Sequence, residues 1–242
     1  MTTAPSARPL YDAITALAGT PDDTSGIDQA LTVIASLAAA RVGPVDYASI
    51  TARRSGAPTT VALSNQVALA VDEAQYADDA GPCLDALDAG IPVAADIATT
   101  MTWPGFRYAA TELGLQASLS VPLFAGSGQP IGALNLYAHD GQALAPLSRA
   151  LLEIFDFHQA GGGQVGQGPD LSGQADAGSS ELLTALVEAL DVQHRIQVAI
   201  GVLMQQLSVT ADAAYAALRE QAAHTEQTLL QAAAAVVAML NQ

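Results

Sequence analysis

The chain of 242 residues contains no lysine at all. Its eight basic residues are all arginines and stand against 24 Asp and Glu, which sets the formal charge at −16 and the pI near 4.2. Such a deficit excludes a protein that coats nucleic acid or anionic membrane through diffuse positive charge. Cysteine is equally scarce. Cys83 stands alone, so neither an intramolecular disulfide nor a multi-cysteine zinc site can form, as fits a reducing compartment. Long apolar runs are missing: Ala232 to Leu240 falls far short of the ~20 residues of a membrane span. The opening MTTAPSARPLYDAI has no basic region followed by a long apolar stretch, so the expectation is a soluble, cytoplasmic protein with no signal peptide and no membrane partner.

What is abundant is apolar. Half the residues are hydrophobic and 13% charged, which rules out disorder by composition. Roughly one residue in five is Ala, a strong helix former. The stretch 160–180, AGGGQVGQGPDLSGQADAGSS, has no apolar periodicity and reads as a linker. Within it, Gly161 to Gly166 spells GxGxxG, but no strand precedes it and no helix follows directly, as cradling a phosphate would require. The linker separates an N-terminal extension (1–24) and a mixed segment (25–159) from a helical one (181–242).

In the mixed segment, Ile27 to Ala40 has helical spacing. Strands are expected at Asp46 to Ala52, Thr59 to Leu63, Ala117 to Phe124 and Ile131 to Ala138, with turns at 55–58 and 126–130. Short helices are expected at Pro82 to Ala89 and Phe106 to Leu113, and a longer one from Ala145 to His158. The fold class is therefore α+β, an antiparallel sheet flanked by helices, followed by an all-α unit of three helices. Those three are Glu181 to Leu207, Ala211 to Ala223 capped by Thr210, and Glu226 to Leu240 capped by Thr225. The first has length to spare for a partner helix, so a homodimer is expected.

The helical segment resembles an ANTAR domain through Leu190, Arg195-Ile196, Ala199-Ile200-Gly201-Val202-Leu203-Met204, Ala214-Tyr215, Leu218-Arg219, Ala222, Leu229, Ala233 and Val236-Val237. The mixed segment resembles a GAF domain through Gly81-Pro82-Cys83-Leu84-Asp85-Ala86, Trp103-Pro104, Ser120-Val121-Pro122-Leu123 and Gly132-Ala133-Leu134-Asn135-Leu136-Tyr137. The resemblance implies a small-ligand sensor or dimeriser joined to a module that binds tandem hairpins in leader RNA and prevents terminator formation. The sequence holds no GxxxxGK[ST], no GxSxG and no cyclic-nucleotide phosphodiesterase signature, so no enzyme is expected, nor a DNA partner, and the cofactor is left unknown. One departure stands out: relatives often carry Lys before the central Gly, whereas this chain has Ile200.

RNA binding needs cations for phosphates and platforms for unpaired bases. From Glu181 onward there are six carboxylates and two arginines, a net of −4, leaving −12 on the rest. The RNA-binding candidates are therefore Arg195, Tyr215, Arg219 and His194, with His224 behind them. Tyr215 suits either base stacking or helix packing, and the arginines either phosphate contact or a solvated face. Gly201 in mid-helix points to close approach of another helix or of RNA. The ligand-binding candidates are Trp103, Phe106, Cys83 and Tyr137. Cys83, near a helix start, is either structural or a thiolate-prone redox sensor. Asp85, Asp88 and Asp96 read as solvated acids, and His139, His158, His194 and His224 lack metal-binding spacing.

Overall fold

A computed structural model of the chain describes residues 6–22, 24–160 and 176–239. Along it run α1 (Pro9–Ala18), α2 (Ile27–Arg41), β1 (Tyr47–Arg54), β2 (Ala57–Leu63), α3 (Gln66–Ala77), α4 (Pro82–Ala89) and β3 (Val93–Asp96). Next come α5 (Pro104–Glu112), β4 (Ala117–Phe124), β5 (Pro130–Ala138) and α6 (Gly141–Gln159). The all-α region holds α7 (Ala177–Leu207), α8 (Ala211–His224) and α9 (Leu229–Ala238). Most of the expected linker, including the GxGxxG letters, lies outside the described residues.

The strands form one sheet in the order β2-β1-β5-β4-β3, each neighbouring pair antiparallel. Strand alternation sends Ile50, Leu119, Val121, Leu134 and Leu136 into a core with α1, α2, α6 and the first half of α7. The opposite face carries Ser49, Thr51, Ser118, Ser120, Asn135 and Tyr137 beneath α3, α4 and α5, and all six are buried. Both faces of the sheet are thus covered, one by an apolar layer and the other by a polar one.

Helix α7 belongs to two cores. Asp176 caps it by accepting from the Gly178 and Ser179 N–H groups, so the helix starts at Ala177, ahead of the expected position 181. Its 31 residues extend about 46 Å. Leu182, Leu183, Leu186 and Leu190 pack into the sheet-side core. Ile196, Ala199, Ile200 and Leu203 pack with Ala214 and Leu218 of α8 and with Leu229, Ala233 and Val236 of α9.

The N-terminal residues are more than an extension. Leu10, Ile14 and Leu17 of α1 are buried in the same core as α7. Glu181, only 5% exposed, fixes this arrangement. Its Oε1 accepts from the Leu10 and Tyr11 N–H groups at 2.7 and 3.1 Å, and its Oε2 pairs with Arg41 at 2.9 Å. A carboxylate at the positive end of α1 is favoured by the helix dipole as well as by these bonds.

The last helix starts later than its sequence predicts. Thr225 closes α8, and Glu226 sits outside any helix at φ +54°. Thr228 is the cap instead, because Gln231 completes a capping box with it, each satisfying the other's backbone N–H.

Candidate functional site

Two places concentrate polar chemistry. The first is the buried polar face of the sheet. Helix α3 faces it with Ala68, Val71, Asp72 and Gln75, a stripe at helical spacing that is half polar. Asp72 is fully buried and accepts from Tyr137 (2.5 Å), Thr60 (2.8 Å) and Asn135 (3.3 Å). Burial raises its pKa to about 6, against the pull of hydrogen bonds from Tyr137, Ser49, Thr60 and Asn135. Tyr76 exchanges hydrogen bonds with Thr51 and Thr60, each at 2.8 Å. Asn135 spends its Nδ2 on Asp72, Ser49 and Thr51. Its Oδ1, together with the Ser118 and Ser120 hydroxyls, is buried without a hydrogen-bond partner among the described residues.

All four ligand-binding candidates lie on this side of the sheet. Phe106 and Tyr137 are buried in one cluster, with Trp103 packed edge-to-face on Phe106 at 6.3 Å. The Trp103 indole N–H donates to Asp85 at 3.0 Å, so Asp85 is an indole acceptor while remaining exposed. Asp88 pairs with Arg53. Cys83 is buried at the start of α4, and its N–H donates to Gln75 Oε1 at 3.0 Å. Gly81 permits that approach, because any side chain there would collide with Gln75. Burial and then the nearby Asp72 push the thiol up, so proximity to the helix start does not make it a thiolate. Asp72, Gln75, Tyr76 and the strand hydroxyls were not among the sequence candidates. Their one signal was polar residues alternating with apolar ones in strands, a pattern that ordinarily marks a solvated face.

The second place is the seam between the sheet unit and the all-α region. The turn joining β4 to β5 is gripped from α7 by Gln197, which donates to Ser127 O at 2.6 Å, and Gln193, which donates to Gly128 O at 3.0 Å. Tyr215 reaches the same turn from α8. Its hydroxyl donates to Asp22 Oδ1 at 3.1 Å and accepts from the Asp22 N–H at 3.3 Å, while Asp22 Oδ1 also accepts from Ser127 N–H at 2.8 Å. Burial, with Asp22 beside it, pushes the Tyr215 hydroxyl up to about 12. Arg219 lies 5.6 Å from the Tyr215 ring centroid, in cation–π range. It borders a groove of about 660 Å³ between Thr20, Pro21, Ala216 and Leu229.

Of the RNA-binding candidates, then, Tyr215 and Arg219 are together at the seam. His194 and Arg195 are exposed elsewhere, on α7. Gln193 and Gln197 lie one turn apart, so Arg195, two residues from each, points nearly opposite them. His194, Val198, Gly201 and Gln205 share an exposed face beside it. A Cβ on Gly201 would meet nothing within 4 Å among the described residues, so close approach by one of the described helices is not the reason for this glycine. Ile200 is 3% exposed and sits in the α7–α8–α9 core.

Residues 24–155 match the GAF domain family and residues 184–237 the ANTAR domain family. No curated protein matches the chain significantly. Among solved structures, the type II free methionine-R-sulfoxide reductase of Thermoplasma acidophilum is similar at 14% identity and a TM-score of 0.37, covering 52% of this chain and 83% of that one. The GAF domain of A. aeolicus nlh2 in an inactive state is similar at 14% identity and a TM-score of 0.39, covering 58% and 85%. The GAF match spans more than half of the chain, which therefore belongs to the GAF domain family and carries an ANTAR domain behind the GAF domain.

Proposed function

We propose that this chain is a signal-responsive transcription antitermination regulator, acting as a homodimer. Its GAF domain takes a small ligand, and its ANTAR helices grip tandem hairpins of a leader RNA. The observation that carries this reading is the seam. Tyr215, the stacking candidate of α8, is held by Asp22 in the segment just ahead of the GAF match, and Arg219, the phosphate candidate, lies over its ring. Occupation of the GAF domain would govern whether that contact holds, provided the ligand binds the docked and released forms with different affinity. Two arginines in each ANTAR segment are few, so the dimer doubles them and the Tyr215 ring adds stacking. Filter binding of the full chain to RNA with paired stem-loops across a salt series tests this. Binding at about 50 mM salt that weakens in Tyr215→Ala and Arg219→Ala supports it. No binding in that range by the wild type or by a released Asp22→Ala variant refutes it.

A second reading is favoured by Ile200 and the net charge of −4. The family's usual Lys is replaced by a core residue, and carboxylates outnumber arginines. On this reading the ANTAR helices contact a protein through the exposed His194–Val198–Gly201 face. Crosslinking from Val198 in the full chain separates the two: RNA adducts support the first, protein adducts the second.

A further inference from the structure

The polar face beneath α3 and α4 is unbalanced, and the direction of the imbalance names a ligand class. Three of its donors are spent inward: Thr60, Tyr137 and the Asn135 Nδ2 all donate to Asp72. The four groups that hydrogen-bond Asp72 (Tyr137, Ser49, Thr60 and Asn135) are uncharged, so the carboxylate has no counterion among them. What remains is the Asn135 Oδ1, which can only accept, beside the Ser118 and Ser120 hydroxyls, which can accept or donate; with the uncompensated carboxylate, the balance favours a donor that carries positive charge. Asn135 turns its Nδ2 toward Ser49 and Thr51 on β1, which leaves its Oδ1 on the β4 side. Ser120 is the cross-strand partner of Asn135, and Ser118 is the partner of Tyr137. The three unpartnered atoms therefore occupy one patch of β4 and β5, one amide width from a buried carboxylate and covered by α4. Groups buried in this state cost free energy until a donor reaches them.

We propose that this patch is the sensor's ligand seat and that it takes a small organic cation with at least two N–H donors, an amidinium, guanidinium or ammonium group. The inference rests on the sensor reading above. The N–H groups donate to Asn135 Oδ1 and Ser120 Oγ, and the positive charge faces Asp72. An anion is repelled by Asp72, and a neutral amide meets the acceptors without neutralising the carboxylate. Entry requires α4 to lift. At one end it is held by the Cys83 N–H bond to Gln75, and at the other its Gly90 C-cap lies against Pro130, at the base of the turn that α7 and α8 grip.

The test titrates the full chain with acetamidinium, acetamide and acetate, three ions or molecules of nearly one shape and different charge, following the Asn135 side-chain amide by NMR and the melting temperature. Acetamidinium is expected to shift the Asn135 signal saturably and to bind about tenfold or more tighter than acetamide, with acetate weakest. Asp72→Asn should reduce the preference to about twofold. Should that variant not fold, Ser118→Ala/Ser120→Ala, which removes two small hydroxyls, should weaken acetamidinium about fivefold. Acetamide or acetate binding as tightly as acetamidinium overturns the cation assignment and leaves the GAF domain a sensor of another ligand class. Silence of Asn135 toward all three probes overturns the seat itself. The antitermination reading is decided separately, by RNA filter binding.

Discussion

The Tyr215 hydroxyl and Asp22 hold each other twice, the phenol donating to the carboxylate and accepting from the same residue's backbone N–H. A side chain of the ANTAR domain is thus clasped by the segment between α1 and α2. Asp22→Ala removes the acceptor of the Tyr215 O–H and of the Ser127 N–H, and leaves the Tyr215 ring intact. Leader-RNA affinity is expected to rise about three- to tenfold in this variant, the worth of one charge-assisted bond partly repaid by water. Filter binding reads the change. An unchanged affinity would mean that the clasp does not restrain the domain.

Gln193 and Gln197 hold the β4–β5 turn by its carbonyl oxygens, and neither belongs to a core. Replacing both with Ala should cost about 1–3 kcal/mol locally. Hydrogen exchange is expected to accelerate in 19–22 and 125–129, with the amides of β1 and β5 unchanged. Equal acceleration throughout would show that the seam and the sheet open together.

Glu181 joins three helices, bonding the start of α1 and the end of α2 from within α7. Glu181→Ala leaves two N–H groups and the half-exposed Arg41 without that acceptor. A loss of about 2–3 kcal/mol is expected, discounted for the exposure of Arg41 and read from the urea midpoint.

Asp72 gives the fold a pH dependence of its own. Its folded pKa, about 6, lies above the unfolded value near 3.8, so the folded state binds more protons between the two. Stability therefore falls as pH rises from about 4 to 6 and levels off above, by roughly 3 kcal/mol in total. Tyr76, Tyr137 and Cys83, which face it, are all pushed upward and do not titrate in that window. Asp72→Asn should remove this dependence, so the wild-type-minus-variant difference in unfolding free energy slopes from pH 4 to 7. A flat difference contradicts it.

Cys83 is buried and its thiol is held protonated. Reaction with a disulfide reagent should be at least about 100-fold slower in the native chain than in denaturant. Peroxide should leave the oligomeric state unchanged. Prompt native labelling would restore the redox reading.

Four of the five strands are legible because they alternate and their turns are marked, as at Gly126 to Pro130; the edge strand β3, four residues long, is too short to show a period. The output helices were legible from Leu and Ile at spacings of three and four. Helix α3 was not, because the stripe it buries includes Asp72 and Gln75 and so shows no apolar period. Helix α1 is not legible locally, because the core it completes is supplied by residues some 170 positions later, a relation no local pattern carries. Ser118, Ser120 and Asn135 carry no local sign of burial, since nothing in β4 or β5 announces the helices that cover that face. The spacing of Tyr215 and Arg219 on one helix predicted their proximity, but their engagement with Asp22 is a tertiary fact.

Helix α7 contributes leucines to the GAF core and, two turns later, isoleucines to the ANTAR core. The residues matching the ANTAR family begin at 184, already inside that first core. Cutting the chain before this helix would strip the sensor of a wall, and cutting through it would leave both pieces with raw leucine surface. Melting should accordingly run as one transition in calorimetry. A substitution that loosens the output is then debited from the sensor as well, so neither half can drift in sequence without the other registering it.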